Sequence, residues 1–321
     1  MFRASRLPGW LRFVGGRLFG MLCVLAVLIT ATFFVVRLIP GDPARAVAGP
    51  HASGETVQKL REQLGLDKPG LQQFTDYVGN VVTLDLGTSF VSKEEVSTII
   101  SDRFPKTASL ALAALVIVLV AGTGIGMLMA ALTEAGRRPL ADGTFSAVSG
   151  ALASIAPYVS GTILVYVFAV QLKWLPVAGS DKATSIILPA IAVALVPTAT
   201  VARFAKAETS KVLRQDYIRS ARAKRLPTAV VFLRHVLPNV LTATLTTAGV
   251  FFAQLMGGAI VAENVFAWPG LGTALVTSVL GNDYAVVQGV AIFLGVVIVC
   301  VNAIVDVLLA LVNPRSELRS S

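Results

Sequence analysis

Few residues in this chain are of types that do covalent or metal chemistry, and those few do not gather. Its two cysteines, Cys23 and Cys300, fall in apolar stretches near opposite ends of the sequence, and its two histidines, His51 and His235, sit in separate polar segments. Small apolar packing suits these thiols better than a disulfide or a metal pair, and no nucleophile, acid–base pair or ligand cluster assembles. No G-x-x-x-x-G-K-[ST] motif occurs, so the chain has no P-loop for ATP phosphates. GTGIG at 122–126 lacks the third glycine of a dinucleotide loop at its spacing. Its G-x-x-x-G form is suited instead to letting two helices approach closely. The concentrated chemistry is charge. The stretch DYIRSARAKRLPTAVVFLRHVLPN at 216–239 crowds arginines and lysines around a single acid, Asp216. Such a stretch sets membrane topology or holds anionic lipid; without a series of stacking aromatics, nucleic acid is not expected.

The elements that carry this stretch must be membrane helices. Apolar side chains make up 55% of the 321 residues and charged ones 14%, against about 25% charged in a soluble domain. Six apolar stretches, 18–38, 108–132, 145–170, 185–205, 237–262 and 285–312, are long enough as helices to cross a hydrocarbon core of about 30 Å. Pro157, Pro189 and Pro197 interrupt them. Lipid offers no water to a freed backbone group, so packed, kinked helices are expected rather than a barrel. The fold class is therefore all-α: a polytopic membrane protein of six transmembrane helices, with a long external segment after the first and a cytoplasmic helix-turn-helix between the fourth and fifth. The run at 18–38 exceeds a signal-peptide core and no small-residue cleavage site follows it, so it is expected to remain as an anchor.

Lysines and arginines set the orientation. The N-terminal tail, 133–143, 202–239 and the C-terminal tail carry 17 of the 27, and the opposite loops carry 10, of which 8 lie in 37–106 beside 9 acids. The positive-inside rule then places both termini and 216–239 in the cytoplasm and 37–106 outside. The expected organisation is a cytoplasmic tail at 1–17, an anchor at 18–38, an external segment at 39–106, a five-helix core at 107–312 with a loop at 206–236, and a cytoplasmic tail at 313–321. The loop reads as helical. Ala221, Ala223 and Leu226 stand among helix formers, Pro227 suits the first position of a second helix, and the turn falls near 224–226. Asp306 is the one carboxylate inside an expected span. Its place near the cytoplasmic end favours pairing with a basic loop residue over ligand binding.

Here the residues resemble a known family. Permease subunits of ATP-binding-cassette importers carry, before the penultimate span, the pattern E-A-A, three residues, G, nine residues, I-x-L-P. This sequence has Ala221 at the second alanine, Arg225 at the glycine, and Leu237 and Pro238 at the closing L-P. DYIRSARAK is similar to the form in dipeptide, oligopeptide and nickel permeases. Further similar stretches follow in the family's order: IPGDPA (39–44), LREQLGLDKP (60–69), DLGTS (85–89), ILPA (187–190), ENVFAWPGLG (263–272), DYAVVQG (283–289) and VNAIVDVLLALVNPR (301–315).

The resemblance implies an inner-membrane subunit forming a peptide path with a homologous second permease. Two ATP-binding subunits, which hold ATP and Mg, would dock on its cytoplasmic loops, and an extracytoplasmic substrate-binding protein would deliver the solute. The chain itself would hold no cofactor. Residues 216–239 become a coupling loop, with Asp216, Tyr217, Arg219, Ala221, Arg222, Ala223, Lys224, Arg225, Leu226, Pro227, Leu237 and Pro238 as its candidate residues. Its charges would complement an acidic cleft, and Tyr217, Ala221 and Leu226 would supply packing. Arg225 departs from the pattern. Positive φ costs a non-glycine residue about 1–2 kcal/mol, so Pro227 is expected to reset the turn and relieve it.

Elsewhere, 37–106 reads as an ordered external cap, with or without contact to a binding protein; PGDP marks a turn and 55–66 a helix. The loop at 263–283 contains Trp268, Pro269 and Gly270, a turn signal in apolar surroundings that suggests a re-entrant or gating element. Ser154, Ser160, Thr198, Gln254 and Asn302 either line a path or bond helix to helix. An ion-coupled secondary transporter or channel is the competing function, though it would ordinarily show inverted repeats or several buried ionisable groups. Within the importer reading, nickel or another small solute competes with peptide.

Overall fold

The computed structural model describes residues 9–38, 42–49, 51–63, 65–134 and 138–312. Arg3 and Arg6, positions 39–41 of IPGDPA, Leu64, Arg137 and everything from 313 onward, Arg315 and Arg319 included, lie outside the described residues. Among the described residues the regular elements are helices, with one isolated bridge between Thr88 and Glu95. Among these residues five helices are long and apolar enough to cross a membrane, or six if one bent pair is a single span. The chain is thus an all-α polytopic membrane protein.

It divides into two compact units, 1–105 with 271–321, and 106–270. In the first, α1 (Gly9–Leu38) packs along α14 (Tyr284–Val312). A Cβ on Gly295 would collide with the Leu28 side chain, so the missing side chain lets these two helices meet. The segment after α1 folds into α2 (Pro43–Ala48), α3 (Gly54–Gln63) and α4 (Gly70–Val82). Asp42 caps α2 by accepting from the Ala44 N–H at 3.1 Å, and it accepts from Arg61 of α3 at 2.6 Å. The helix expected at 55–66 is α3; α4 has no counterpart in the sequence reading. Phe74 and Tyr77 on α4 pack against Phe33 of α1 with ring centroids 5.0 and 5.6 Å apart.

α5 (Val96–Ile117) begins in the first unit, enters the second at Lys106, and passes through a π-helical turn, Val118–Gly122, into α6 (Thr123–Leu132). The helix therefore begins at Val96 rather than 108. Hydropathy marks where lipid contact starts, and helical hydrogen bonding continues past that point through polar residues such as Asp102 and Arg103. The central element is α9 (Ile187–Leu213), which packs against α6 and three further helices, α7 (Pro139–Ala153), α8 (Pro157–Leu164) and α12 (Leu237–Val265). Leu188, Ala192, Val193, Ala194 and Val201 of α9 join Leu255, Ala262 and Phe266 in one buried cluster. Pro197 sits inside α9 without ending it.

The GTGIG glycines serve this packing. A Cβ on Gly122 would lie 2.8 Å from Val201 Cγ1, and one on Gly126 would lie 2.7 Å from Ala205 Cβ, whereas Gly124 faces open space. This is the close helix approach that G-x-x-x-G permits.

The expected span at 145–170 is not one kinked helix. α7 and α8 meet at 100° across a short break, and a π-helical turn, Val165–Gln171, extends α8. The break itself is local in origin: Pro157 disfavours helical backbone at the preceding residue, and Ala156 is extended at φ −65°, ψ 139°. A second correction concerns 263–283, which is not a loop. α12 continues through Val265, and α13 (Leu271–Leu280), in the first unit, is an apolar helix of 10 residues. At 1.5 Å per residue it spans roughly 15 Å, about half a hydrocarbon core. Glu263 therefore lies in the last turn of α12, fully buried, and Asp306 is not the only carboxylate in an apolar helix. Asp306 itself lies in α14; its side chain is outside the described residues.

Candidate functional site

The basic stretch folds into α10 (Asp216–Ala223), a turn, and α11 (Thr228–Val230), which continues through a π-helical turn, Val231–Val236, into α12. α10 is amphipathic at helical spacing. Ile218 and Ala221, one turn apart, are buried with Ala205, Val212 and Leu213 of α9 and with Val231, Val236 and Val240. The opposite face carries Asp216, Arg219, Ser220 and Ala223, with Tyr217 on the flank and Lys224 just past the helix end, all exposed. Burial of the first face fixes the second in place, so the charged face is a rigid surface and not a loose loop.

The turn overturns one expectation. Arg225 has φ 57°, the left-handed conformation that the family glycine would supply. Its N–H donates to the Arg222 carbonyl at 2.9 Å and the Leu226 N–H donates to the Ala221 carbonyl at 3.4 Å. These two bonds are a Schellman closure, which requires positive φ at that position. Pro227 lies one residue too late to relieve it. With φ −55° and ψ 141° it caps α11 rather than opening it.

Two contacts hold α10 to the bundle from the sides. Arg222 donates to both carboxylate oxygens of Glu134, at 2.7 and 3.1 Å. This hydrogen bond raises the Arg222 pKa above its ordinary value, opposed by partial burial. The Asn239 amide donates to the Tyr217 hydroxyl at 3.3 Å. Leu237 is half-buried and Pro238 exposed. Ala221, expected to seat a partner, is only 7% exposed and faces the chain's own cluster. The open residues are Asp216, Tyr217, Arg219, Ala223, Lys224, Arg225, Leu226 and Pro227. Glu134, Ile218 and Asn239 were not anticipated. Glu134 is 88 residues from Arg222, and nothing local in the sequence marks that pairing.

Each pathway candidate has its own local setting. Ser154 and Ser160 donate to the carbonyls of Gly150 and Pro157 within their own segments, and the buried Thr198 hydroxyl has no partner among the described residues. Gln254 and Asn302 are exposed. Trp268, Pro269 and Gly270 form a closed turn. The Trp268 backbone N–H donates to the Glu263 carbonyl at 2.8 Å, and its indole N–H donates to the Lys106 carbonyl at 3.1 Å. Thr107 donates to Glu263 Oε1 at 2.6 Å, and a Cβ on Gly270 would collide with the same carboxylate.

In the first unit, two of the quoted motifs meet. Asp283 of DYAVVQG accepts from the hydroxyl of Ser89 in DLGTS and from the backbone N–H groups of Phe90, at 3.1 Å, and Val91, at 3.4 Å. Gly289 leaves room for Val96, whose Cγ1 would lie 2.5 Å from an added Cβ.

Apolar helices packed around α9, with a short basic helix seated on them and its charged face open, form a polytopic membrane protein with an exposed basic surface. Residues 122–317 match the family described as the binding-protein-dependent transport system inner membrane component, and residues 10–111 match the N-terminal part of such membrane components. The glutathione transport system permease protein GsiC of Escherichia coli O6:H1 (strain CFT073) is 39% identical over 304 residues, 95% of this chain and 98% of its own. Proteins of the same name from Escherichia coli K12 and Salmonella choleraesuis are 38% identical over the same shares. The chain belongs to the family of binding-protein-dependent inner membrane components, as a permease subunit of an ABC importer of the peptide and nickel type.

Proposed function

We propose that this subunit forms half of the path for small peptides, glutathione or dipeptides among them, driven by ATP hydrolysis on separate subunits. The observation that carries the substrate class is the near full-length similarity to permeases named for glutathione transport. A homologous permease completes the path, two ATPase subunits hold ATP and Mg, and an extracytoplasmic protein delivers the peptide. The open face of α10 is the ATPase contact. Arg219, Lys224 and Arg225 meet an acidic cleft there, while Tyr217 and Leu226, 46% and 38% exposed, add apolar area. The charge asymmetry supports an orientation with α10 and both termini cytoplasmic and 39–106 outside.

Proteoliposomes holding the permease pair, ATPases and binding protein are expected to take up labelled glutathione or dipeptide only with ATP. Uptake of nickel instead, or of peptide without ATP, refutes the substrate class or the energy source respectively. Cysteines placed at Ser220 and Ser53 check orientation in intact cells. An impermeant reagent is expected to label Ser53→Cys and not Ser220→Cys.

A further inference from the structure

The first unit contains a cavity of about 540 Å³ that the transport reading leaves unused. Its lining includes Phe33 and Arg37 of α1, Glu62 of α3, Tyr77 of α4, Asp85 of the following loop and Gln288 of α14. Small-molecule sites occupy roughly 300–1,000 Å³, so the size fits one.

The charges lining it are unevenly matched. Lys68 and Asp76 satisfy each other at 2.8 Å. Arg37 lies over the Phe33 ring, 3.5 Å from its centroid, and donates to the Phe33 carbonyl and the Gln73 side chain. Among the described residues it has no carboxylate partner. Among the described residues the Glu62 carboxylate accepts only from the Gln58 amide, at 3.4 Å, and that of Asp85 only from the Gly87 N–H, at 3.0 Å. Among the described residues, one cation and two solvent-exposed carboxylates are therefore without ion pairs. An anionic ligand would leave the carboxylates unmatched, and a simple cation would leave Arg37 so.

Tyr77 adds a third requirement. Its ring is fixed beside Phe33, yet its hydroxyl is buried with no hydrogen-bond partner among the described residues. Burial pushes its pKa up, so it stays a neutral donor. A buried donor left unpaired loses its hydration without return, and in native structures such a group usually marks a bound water or ligand.

We propose that this cavity binds a small zwitterion, an amino acid or dipeptide, with its carboxylate on Arg37, its ammonium on Glu62 or Asp85, and a ligand oxygen accepting from the Tyr77 hydroxyl. Only the preference for a dipeptide over a free amino acid rests on the peptide function proposed above; the charge pattern comes from the cavity.

The test uses the assembled complex in nanodiscs, without binding protein or nucleotide, titrated calorimetrically with L-alanyl-L-alanine. Saturable binding is expected. The N-acetylated, C-amidated derivative, which lacks both charges, is expected to bind at least about ten-fold more weakly. Tyr77→Phe keeps the ring packing and is expected to weaken the dipeptide about five-fold. Alanine binding more weakly than the dipeptide supports the peptide size. Absence of saturable binding of either zwitterion, equal binding of the uncharged derivative, or unchanged affinity in both Tyr77→Phe and Glu62→Gln overturns the proposal. ATP-driven peptide uptake by the same preparation with its binding protein reads the transport function separately, so either can fail without the other.

Discussion

Two glycines in α6 predict opposite responses to the same small change. At Gly126 an added methyl would lie 2.7 Å from Ala205 Cβ and 2.8 Å from the Lys206 backbone nitrogen, and nearer still to the Ala202 carbonyl. Comfortable carbon contacts are about 3.5–4.0 Å, so α6 and α9 must part by roughly 1 Å. The obstructing atoms are backbone and Cβ, which cannot rotate away. Overpacking of this kind costs about 1–3 kcal/mol, and parting the helices also loosens the contact of Gly122 with Val201. We expect Gly126→Ala to destabilise by about 2–3 kcal/mol. At Gly124 nothing lies within 4 Å, and alanine there should be neutral or stabilise by about 0.5–1 kcal/mol through reduced backbone entropy loss. Unfolding of the purified chain by titrated detergent, followed by tryptophan fluorescence, measures both. A Gly126→Ala protein as stable as the parent, or a Gly124→Ala protein equally damaged, would refute the helix contact as described.

Arg225→Gly keeps both Schellman bonds and removes the left-handed penalty, so the isolated chain should gain about 1 kcal/mol with uptake unchanged; an unchanged or lowered melting temperature refutes the strain. Ala221→Glu places a carboxylate inside an apolar cluster and should unfold α10, seen as loss of both stability and assembled complex, while Arg219→Glu on the open face should leave melting unchanged and reduce the ATPase that co-purifies. Asp283→Ala strips the acceptor from Ser89, Phe90 and Val91 and should cost about 2–3 kcal/mol, with faster hydrogen exchange at the two amides. Gly270→Ala should be worse than Glu263→Gln in the same unfolding assay, because it drives a methyl into the buried carboxylate while the amide keeps its volume.

The helical membrane character, the approximate spans, the basic stretch and the order of motifs were legible because they depend on composition and local spacing. Lipid selects long apolar helices, and a GxxxG pair advertises close approach whatever its partner. What depends on distant residues was not legible. Ala221 looked like a contact for another protein because its small size is compatible with either side of α10. Only the packing of Ile218 and Ala221 onto α9 and α12 decides which side faces inward. Arg225 looked relieved by Pro227, since sequence shows a proline nearby but not the two hydrogen bonds that demand positive φ at Arg225 itself.

The same division separates the other differences. Pro157 announced an interruption, yet the 100° angle between α7 and α8 follows from the surfaces on which each half packs. Glu263 read as a loop acid because hydropathy falls at the helix end, while its burial depends on Thr107, 156 residues away, and on the turn that brings Gly270 against it. Sequence by itself determined that the protein is a membrane permease of this family, since hydrophobic length and motif order are properties of the chain. The tertiary structure alone decided which face of α10 stays open, which carboxylates are enclosed and where a cavity remains. Each of these is set by side chains far apart in sequence whose burial and hydrogen bonding exist only once the helices have packed.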